Sequence, residues 1–491
     1  MSQTLILLLL AVPLVAAAVS WLARPPVVLY AVAAVAQVVV LALALTLLAQ
    51  VVGGAEPHAF GHWLALDHLG GVVLLIVATV GLTSSVYSIG YLHHELTERA
   101  VRGEELRRYF ALLHLFLFTM LLSALAGNLG LLWTAIAGTT IASAPLVDFY
   151  GSREPLEAAW KYIVLTTAGS MVALVGYLVL YQAGVHVLGI SYDFSFSALS
   201  AVAPRLPAAA AVTAFLLVLV GFGAKAGLAP MHTWLPDAHS QAPSPICALL
   251  SGVELNCAML GILRAFALTA PAAGAERLRL ALLAFGVLSM LVAVVFLVSQ
   301  QDFKRLLAYS SIEQMGLVAV GVGTGVPLAV FGAMLQMVNH AFGKSLMFFA
   351  TGNLLLRFRT RAIGSVTGLV RDMPATAILL VPGVLALAGA PPFNVFVSEF
   401  AIVSGAAAAH QLAPALIVAA LLVVGFLALV WPFNRMAFGA APGGAGGHRA
   451  TVNPMALLPA YLSLTVVVGL GFWVPSPLQA LLSGAARTLT P

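Results

Sequence analysis

Lys225 lies inside Leu216–Leu228, LLVLVGFGAKAGL, a run long and apolar enough to sit in hydrocarbon. An ammonium held there costs about 2.5–3.5 kcal/mol on insertion scales, and such residues face a wet bundle interior and carry ions or protons. Pro230 and Pro236 follow at once and break the helix. A buried charge beside a broken helix is a common sign of a transport site. The chemistry open to it is proton exchange by a desolvated amine. The competing reading is a structural cation tied to a carboxylate or to carbonyls freed at the break.

Other polar residues in apolar runs offer the same chemistry. Glu399 follows a second break, Gly389–Pro392 in ALAGAPPFNVFVSEF. It reads as a second titrating site, or as a cap on the half-helix. His340 and Lys344, in MLQMVNHAFGKSLMFFATG, stand at i and i+4 on one helix face, where they could pass protons between spans or simply bond carbonyls. Glu254 in LLSGVELNCAMLGILR and Glu313 in LAYSSIEQMGLV read equally as relay carboxylates or as partners of a neighbouring cation. His232, Asp237 and His239 surround the first break, as a proton inlet or as groups that satisfy it. The His232–His239 spacing brings no companion ligands, so no metal is expected. Lys304 and Arg305 open a span and are expected to snorkel.

These residues need a scaffold of membrane helices. The chain has 491 residues, 62% hydrophobic and 8% charged, with mean hydropathy +1.05. That excludes a soluble globule, and continuous apolar stretches exclude an alternating β-barrel. The net charge of +5 resides in short loops and does not imply nucleic-acid binding. Cys247 and Cys257 are expected to be buried packing residues without a disulfide. The N-terminal apolar run lacks a basic flank and reads as a first span rather than a leader.

Windows of about 20 apolar residues predict an all-α polytopic protein of about fourteen spans. Those seventh and twelfth in order are interrupted. Glu56–His68 is too short and too polar to cross. Alternate loops hold Arg24; Arg99, Arg102, Arg107 and Arg108; Arg153; Lys304 and Arg305; Arg357, Arg359, Arg361 and Arg371; Arg435 and Arg449. The opposite loops hold only Arg205, Arg277 and Arg279, with Arg487 in the tail. The positive-inside rule places both termini outside the cytoplasm. Four spans separate the two broken ones, so these cross in opposite directions, as two five-helix units of inverted topology require. The expected division is 1–107 (spans one to three), 108–270 (first unit), 278–437 (second unit) and 438–491 (last span and tail).

The stretch KAGLAPMHTWLPDAHSQAPSPICALLSGVELNCAMLGILR, from Lys225 to Arg264, resembles the signature of the antiporter-like membrane subunits of complex I and the Mrp superfamily. LEAAWKYIVL, QQDFKRLLAYSSIEQMG, NHAFGKSLMFFATGN and GAPPFNVFVSEF resemble the hydrogenase-4 component F branch. The resemblance covers the whole chain. It implies a mid-plane relay in which Lys225 is the span-seven lysine, His340 the span-eleven histidine and Glu399 the span-twelve ionisable group. It also implies a bacterial or archaeal cytoplasmic membrane. The expected partners are other membrane subunits, a peripheral redox module, the lipid bilayer, and protons or Na+.

No phosphate loop, haem attachment, iron–sulfur set or nucleophile elbow is present in the sequence, so no cofactor or catalytic redox centre is expected in this chain. One departure stands out. The family's span-five glutamate, partner of the lysine, is missing, and Ala137 of LLWTAIAGTTIASAPLV takes the matching place. Asn256 stands where relatives often have lysine, and Glu254 where leucine is expected. Either Glu254 takes over as partner of Lys225, or the first half-channel is altered. The function expected is proton translocation by Lys225, His340, Lys344, Glu399, Glu313 and Glu254. The alternatives are a non-pumping structural subunit, a sodium–proton antiporter, or an ion-driven inorganic carbon uptake subunit.

Overall fold

The computed structural model describes residues 2–440 and 453–490. Helices α1 (Ser2–Leu22) and α2 (Pro26–Val52) lead to a hairpin of β1 (His58–Ala59) and β2 (Leu64–Ala65). Then come α3 (His68–Thr97), α4 (Gly103–Leu125), α5 (Leu129–Val147), α6 (Arg153–Leu188) and the short α7 (Phe196–Val202). The first interrupted unit is α8 (Ala208–Ala226) and α9 (Trp234–Gln241), followed by α10 (Ser244–Leu249), a π turn at Leu250–Glu254 and α11 (Leu255–Ala273). Next are α12 (Ala275–Ser299), α13 (Phe303–Thr324), α14 (Pro327–Phe358) and the one-turn α15 (Leu369–Asp372). The second interrupted unit is α16 (Pro374–Leu387) and α17 (Asn394–Ala408); α18 (Leu412–Phe438), α19 (Pro454–Phe472) and α20 (Ser476–Leu489) close the chain.

The fold is all-helical apart from the small hairpin, which is what the segment too short to cross becomes. Among the described residues, twelve helices are long and apolar enough to span a membrane. The expectation of fourteen differs at two places. α14 has the length, but Gln336, Asn339, His340 and Lys344 lower its hydropathy. The span near residue 387 is two short apolar helices, α16 and α17. Arg449 lies outside the described residues.

Both expected interruptions are present. Gly227 ends α8 at φ 78°, a left-handed conformation that favours glycine, and Pro230 has no N–H to continue the ladder. The freed groups find partners: Trp234 Nε1 donates to Ala224 O at 2.7 Å, and Ala229 N to Ser289 Oγ at 2.9 Å. Gly389, at φ 75°, lies within the second break, and Asn339 Nδ2 donates to Asn394 O at 2.7 Å just beyond it.

Helices bearing the polar residues sit innermost. The most apolar windows of α10–α11 and α13 are wholly buried, against 22% for α18. Close approach comes from small residues. Gly169 of α6 meets Gly221 of α8, and Gly286 of α12 meets Gly316 of α13. Cys247 and Cys257 are buried free thiols.

Candidate functional site

A buried polar belt runs through the innermost helices and begins at Lys225. The helix break puts this lysine in the last turn of α8, fully buried. Its Nζ lies 2.8 Å from Glu254 Oε1 and donates to Thr140 Oγ1. Glu254 Oε1 also accepts from Thr139 Oγ1 at 2.7 Å and Tyr162 OH at 2.6 Å. Tyr162 OH is paired with Ser143 Oγ at 2.7 Å, and the tyrosine ring lies 5.7 Å from Lys225 Nζ. Glu254 Oε2 has no partner among the described residues. The lysine amine and the glutamate carboxyl are thus held together in a fully buried site, with three donors on one oxygen.

The π turn explains how α10–α11 serves two neighbours. Ser251 and Glu254 are three apart and would share a face of a regular α-helix. Wider π winding spreads them. Glu254 points at α8, while Ser251 Oγ lies 2.7 Å from Ser311 Oγ of α13. His340 Nε2 lies 3.2 Å from Ser251 O. Asn256 turns away from Lys225, and its Nδ2 donates to Gly252 O at 2.8 Å and Met337 O at 3.3 Å.

α13 then acts as a spine. Lys344 Nζ donates to Leu307 O at 2.7 Å and also to Ser310 Oγ. One turn on, Gln314 Nε2 donates to Glu399 Oε1 at 3.4 Å, while Gln336 Nε2 donates to Gln314 Oε1. Ser398, beside Glu399, bonds Gln336 and Asn339. The two carboxylates occupy space left by glycines. A Cβ at Gly389 would run into the Glu399 carboxylate, and one at Gly425 of α18 into that of Glu313. Glu399 also borders a cavity of about 330 Å³ whose other walls are almost wholly apolar.

The residues singled out from the sequence therefore fall into two groups. Lys225, Glu254, His340, Lys344, Glu313 and Glu399 are all buried along this belt. His340 and Lys344 make separate contacts rather than a direct bond. The three groups around the first break diverge. His232 packs beside Phe296 and Tyr309, and Asp237 pairs with Lys161 at 3.0 Å and Arg305 at 2.8 Å. His239 Nδ1 lies 2.9 Å from Leu235 O, and its Nε2 has no partner among the described residues.

Lys304 corrects the expectation of a snorkelling residue. It is buried, and its Nζ donates to Ala242 O just beyond the end of α9. There a cation complements the carbonyl end of the helix. Among the described residues no cluster of three or more His, Cys, Asp or Glu could hold a metal.

The sequence reading missed Thr139, Thr140, Tyr162, Ser251, Ser310, Gln314 and Gln336. A signal was present in GTTIAS and YSSIEQ, where hydroxyls and amides recur at helical spacing within apolar runs.

Residues 126–425 match the family model described as NADH:quinone oxidoreductase/Mrp antiporter, transmembrane. A hydrogenase-4 component F homolog of Methylacidiphilum infernorum is 35% identical over 84% of this chain and 86% of its own length. Hydrogenase-4 component B of Escherichia coli is 30% identical over 82% of this chain, which spans 61% of that longer protein. A chain of the membrane-bound sulfane sulfur reductase, an archaeal respiratory membrane complex, superposes with a TM-score of 0.87 at 26% identity, covering 99% of this chain and 97% of its own.

Proposed function

We propose that this chain, which belongs to the NADH:quinone oxidoreductase/Mrp antiporter family, translocates protons as an antiporter-like subunit of a complex-I-like or group 4 hydrogenase-like membrane assembly. The observation that carries this reading is the buried Lys225–Glu254 pair. A carboxylate beside a desolvated lysine favours its charged form, and separating the two favours proton release. Lys225 would be the switch of a first half-channel and Glu399 the terminal site of a second. Glu313, Lys344 and His340 would connect them along α13. His232, Asp237 and His239 would serve uptake at the first break.

The architecture behind this proposal is fourteen spans, with 108–270 and 278–437 as inverted repeats and both termini outside the cytoplasm. Two broken helices support it, as does the loop charge bias. The non-pumping reading rested on the missing span-five acid. With Glu254 on Lys225, that loss no longer argues for an inactive channel. Other membrane subunits and a peripheral module would be the partners.

The test is purification of the native assembly, identification of its subunits and reconstitution into liposomes. Proton movement that depends on Lys225 supports the proposal. Transport of Na+ without protons, or an assembly that moves no ion, overturns it.

A further inference from the structure

We propose a second internal proton site, a buried water cluster centred on His114, in the seam between α2, α3 and α4. None of the belt residues lies on these helices. His114 is fully buried, and neither ring nitrogen has a partner among the described residues. The same holds for both amide atoms of Gln37 and for the hydroxyl oxygens of Tyr30, Ser84 and Ser85.

Two sets of contacts bring these groups together. Ser88 Oγ meets Tyr109 OH at 2.8 Å. A Cβ at Gly81 would lie 2.9 Å from Leu117 and 3.3 Å from Gln37 Oε1. These contacts fix the register of α3 against α4 and set Ser84 level with His114. On α3, Ser84 and Ser85 stand one turn from Gly81, on the face it turns to α4 and α2. The Tyr30 and Phe110 rings lie 5.9 Å apart, and Gln37 lies beside Leu117. α2 and α4 therefore run in matched register, with His114 between the levels of Tyr30 and Gln37. There α2 offers only Ala33 and Ala34.

A buried donor or acceptor left unsatisfied forfeits the hydrogen bonds it made to water. So many of them in one seam, with only Ala33 and Ala34 opposite on α2, call for bridging water, because buried waters bridge otherwise unsatisfied polar groups. The titratable groups facing it are few. α2 offers Tyr30; α3 offers His93, whose ring lies 6.1 Å from Tyr30 near the end of the helix; α4 offers Tyr109 beyond Ser88. The neighbouring α1 and α5 contain no Asp, Glu, Lys, Arg or His. Among the described residues His114 therefore meets no buried counter-charge, and water is the partner through which it exchanges protons. The mouth of the pocket is the Tyr30–His93 end, where His93 is exposed. A contribution of this site to transport rests on the reading above. Its hydration and titration do not.

The test is histidine C2–H exchange on the intact protein in D2O, read by mass spectrometry of the peptide that carries His114. Hydroxide removes the C2 proton of the protonated ring and solvent returns a deuteron, so exchange requires both water and protonation. The expected result is deuteration of His114 with a sigmoidal pH profile, and slower exchange at His114 in Tyr30→Trp, where the mouth is narrowed. No exchange at His114 while exposed His93 exchanges would overturn the site. An unchanged His114 rate in Tyr30→Trp would overturn the route. Neither result depends on whether the belt pumps.

Discussion

Lys225 in the last turn of α8 and Glu254 at the end of the π turn meet at 2.8 Å, both side chains fully buried. Ala137, the position on α5 where the resemblance implies a family acid, lies one turn or less from Thr139, which donates to Glu254, and Thr140, which accepts from Lys225. The hydroxyls of α5 support the pair from one side.

Tyr162 supports Glu254 by donating to its Oε1 at 2.6 Å. A hydrogen bond to a charged group contributes about 1.5–3 kcal/mol. Tyr162→Phe is expected to keep the ring beneath Lys225, to lower thermal stability, and to slow proton transport. Wild-type transport and an unchanged melting temperature would remove Tyr162 from the pair's support.

Two glycines make room for the carboxylates of the second half. Gly389→Ala meets the Glu399 carboxylate and also adopts positive φ, which costs an L-residue about 1–2 kcal/mol. Gly425→Ala meets only the Glu313 carboxylate, and inside a helix alanine is otherwise favoured over glycine by about 1 kcal/mol. Both variants are expected to lose transport. Gly425→Ala losing stability as well, in a thermal melt of the purified protein, would locate the effect at Glu313.

Asp67 caps α3 and holds the buried Arg264 through two contacts, 2.8 and 3.0 Å long. Burial alone would push its carboxyl up, but the Arg264 charge and hydrogen bonds and the Gly70 N–H together hold it below the ordinary carboxylate range. A depressed carboxylate contributes stability at neutral pH that is lost as pH falls through its folded-state value. Asp67→Asn should therefore lower the melting temperature at neutral pH. The gap to wild type should close only below about pH 4, measured by melting both across pH.

Much of this was legible in residue order. Apolar runs interrupted by Gly227–Pro230 and Gly389–Pro392 announced broken helices, because glycine and proline act locally. A lone lysine in hydrocarbon announced a buried site. What the sequence concealed depends on winding and depth. A π turn leaves no periodic trace, so a regular-helix reading of Glu254 and Asn256 could not weigh the spread between Ser251 and Glu254. Lys304 resembled a loop cation because hydropathy does not show that the end of α9 folds over it. Twelve helices rather than the expected fourteen are long and apolar enough to span a membrane among the described residues, in part because Gln336, Asn339, His340 and Lys344 make α14 too polar to count.

In the proposed function, Glu254 is the working acid partner of Lys225 in proton translocation. Initial rates of proton uptake by liposomes containing the native assembly, compared between wild type, Glu254→Gln, Lys225→Ala and the double variant Glu254→Leu/Ala137→Glu, test it most directly. Subunit content of each preparation serves as the control for assembly. Glu254→Gln is expected to lose transport about as fully as Lys225→Ala, and the carboxylate returned to position 137 is expected to recover part of it. Wild-type rates in a fully assembled Glu254→Gln preparation would contradict the account.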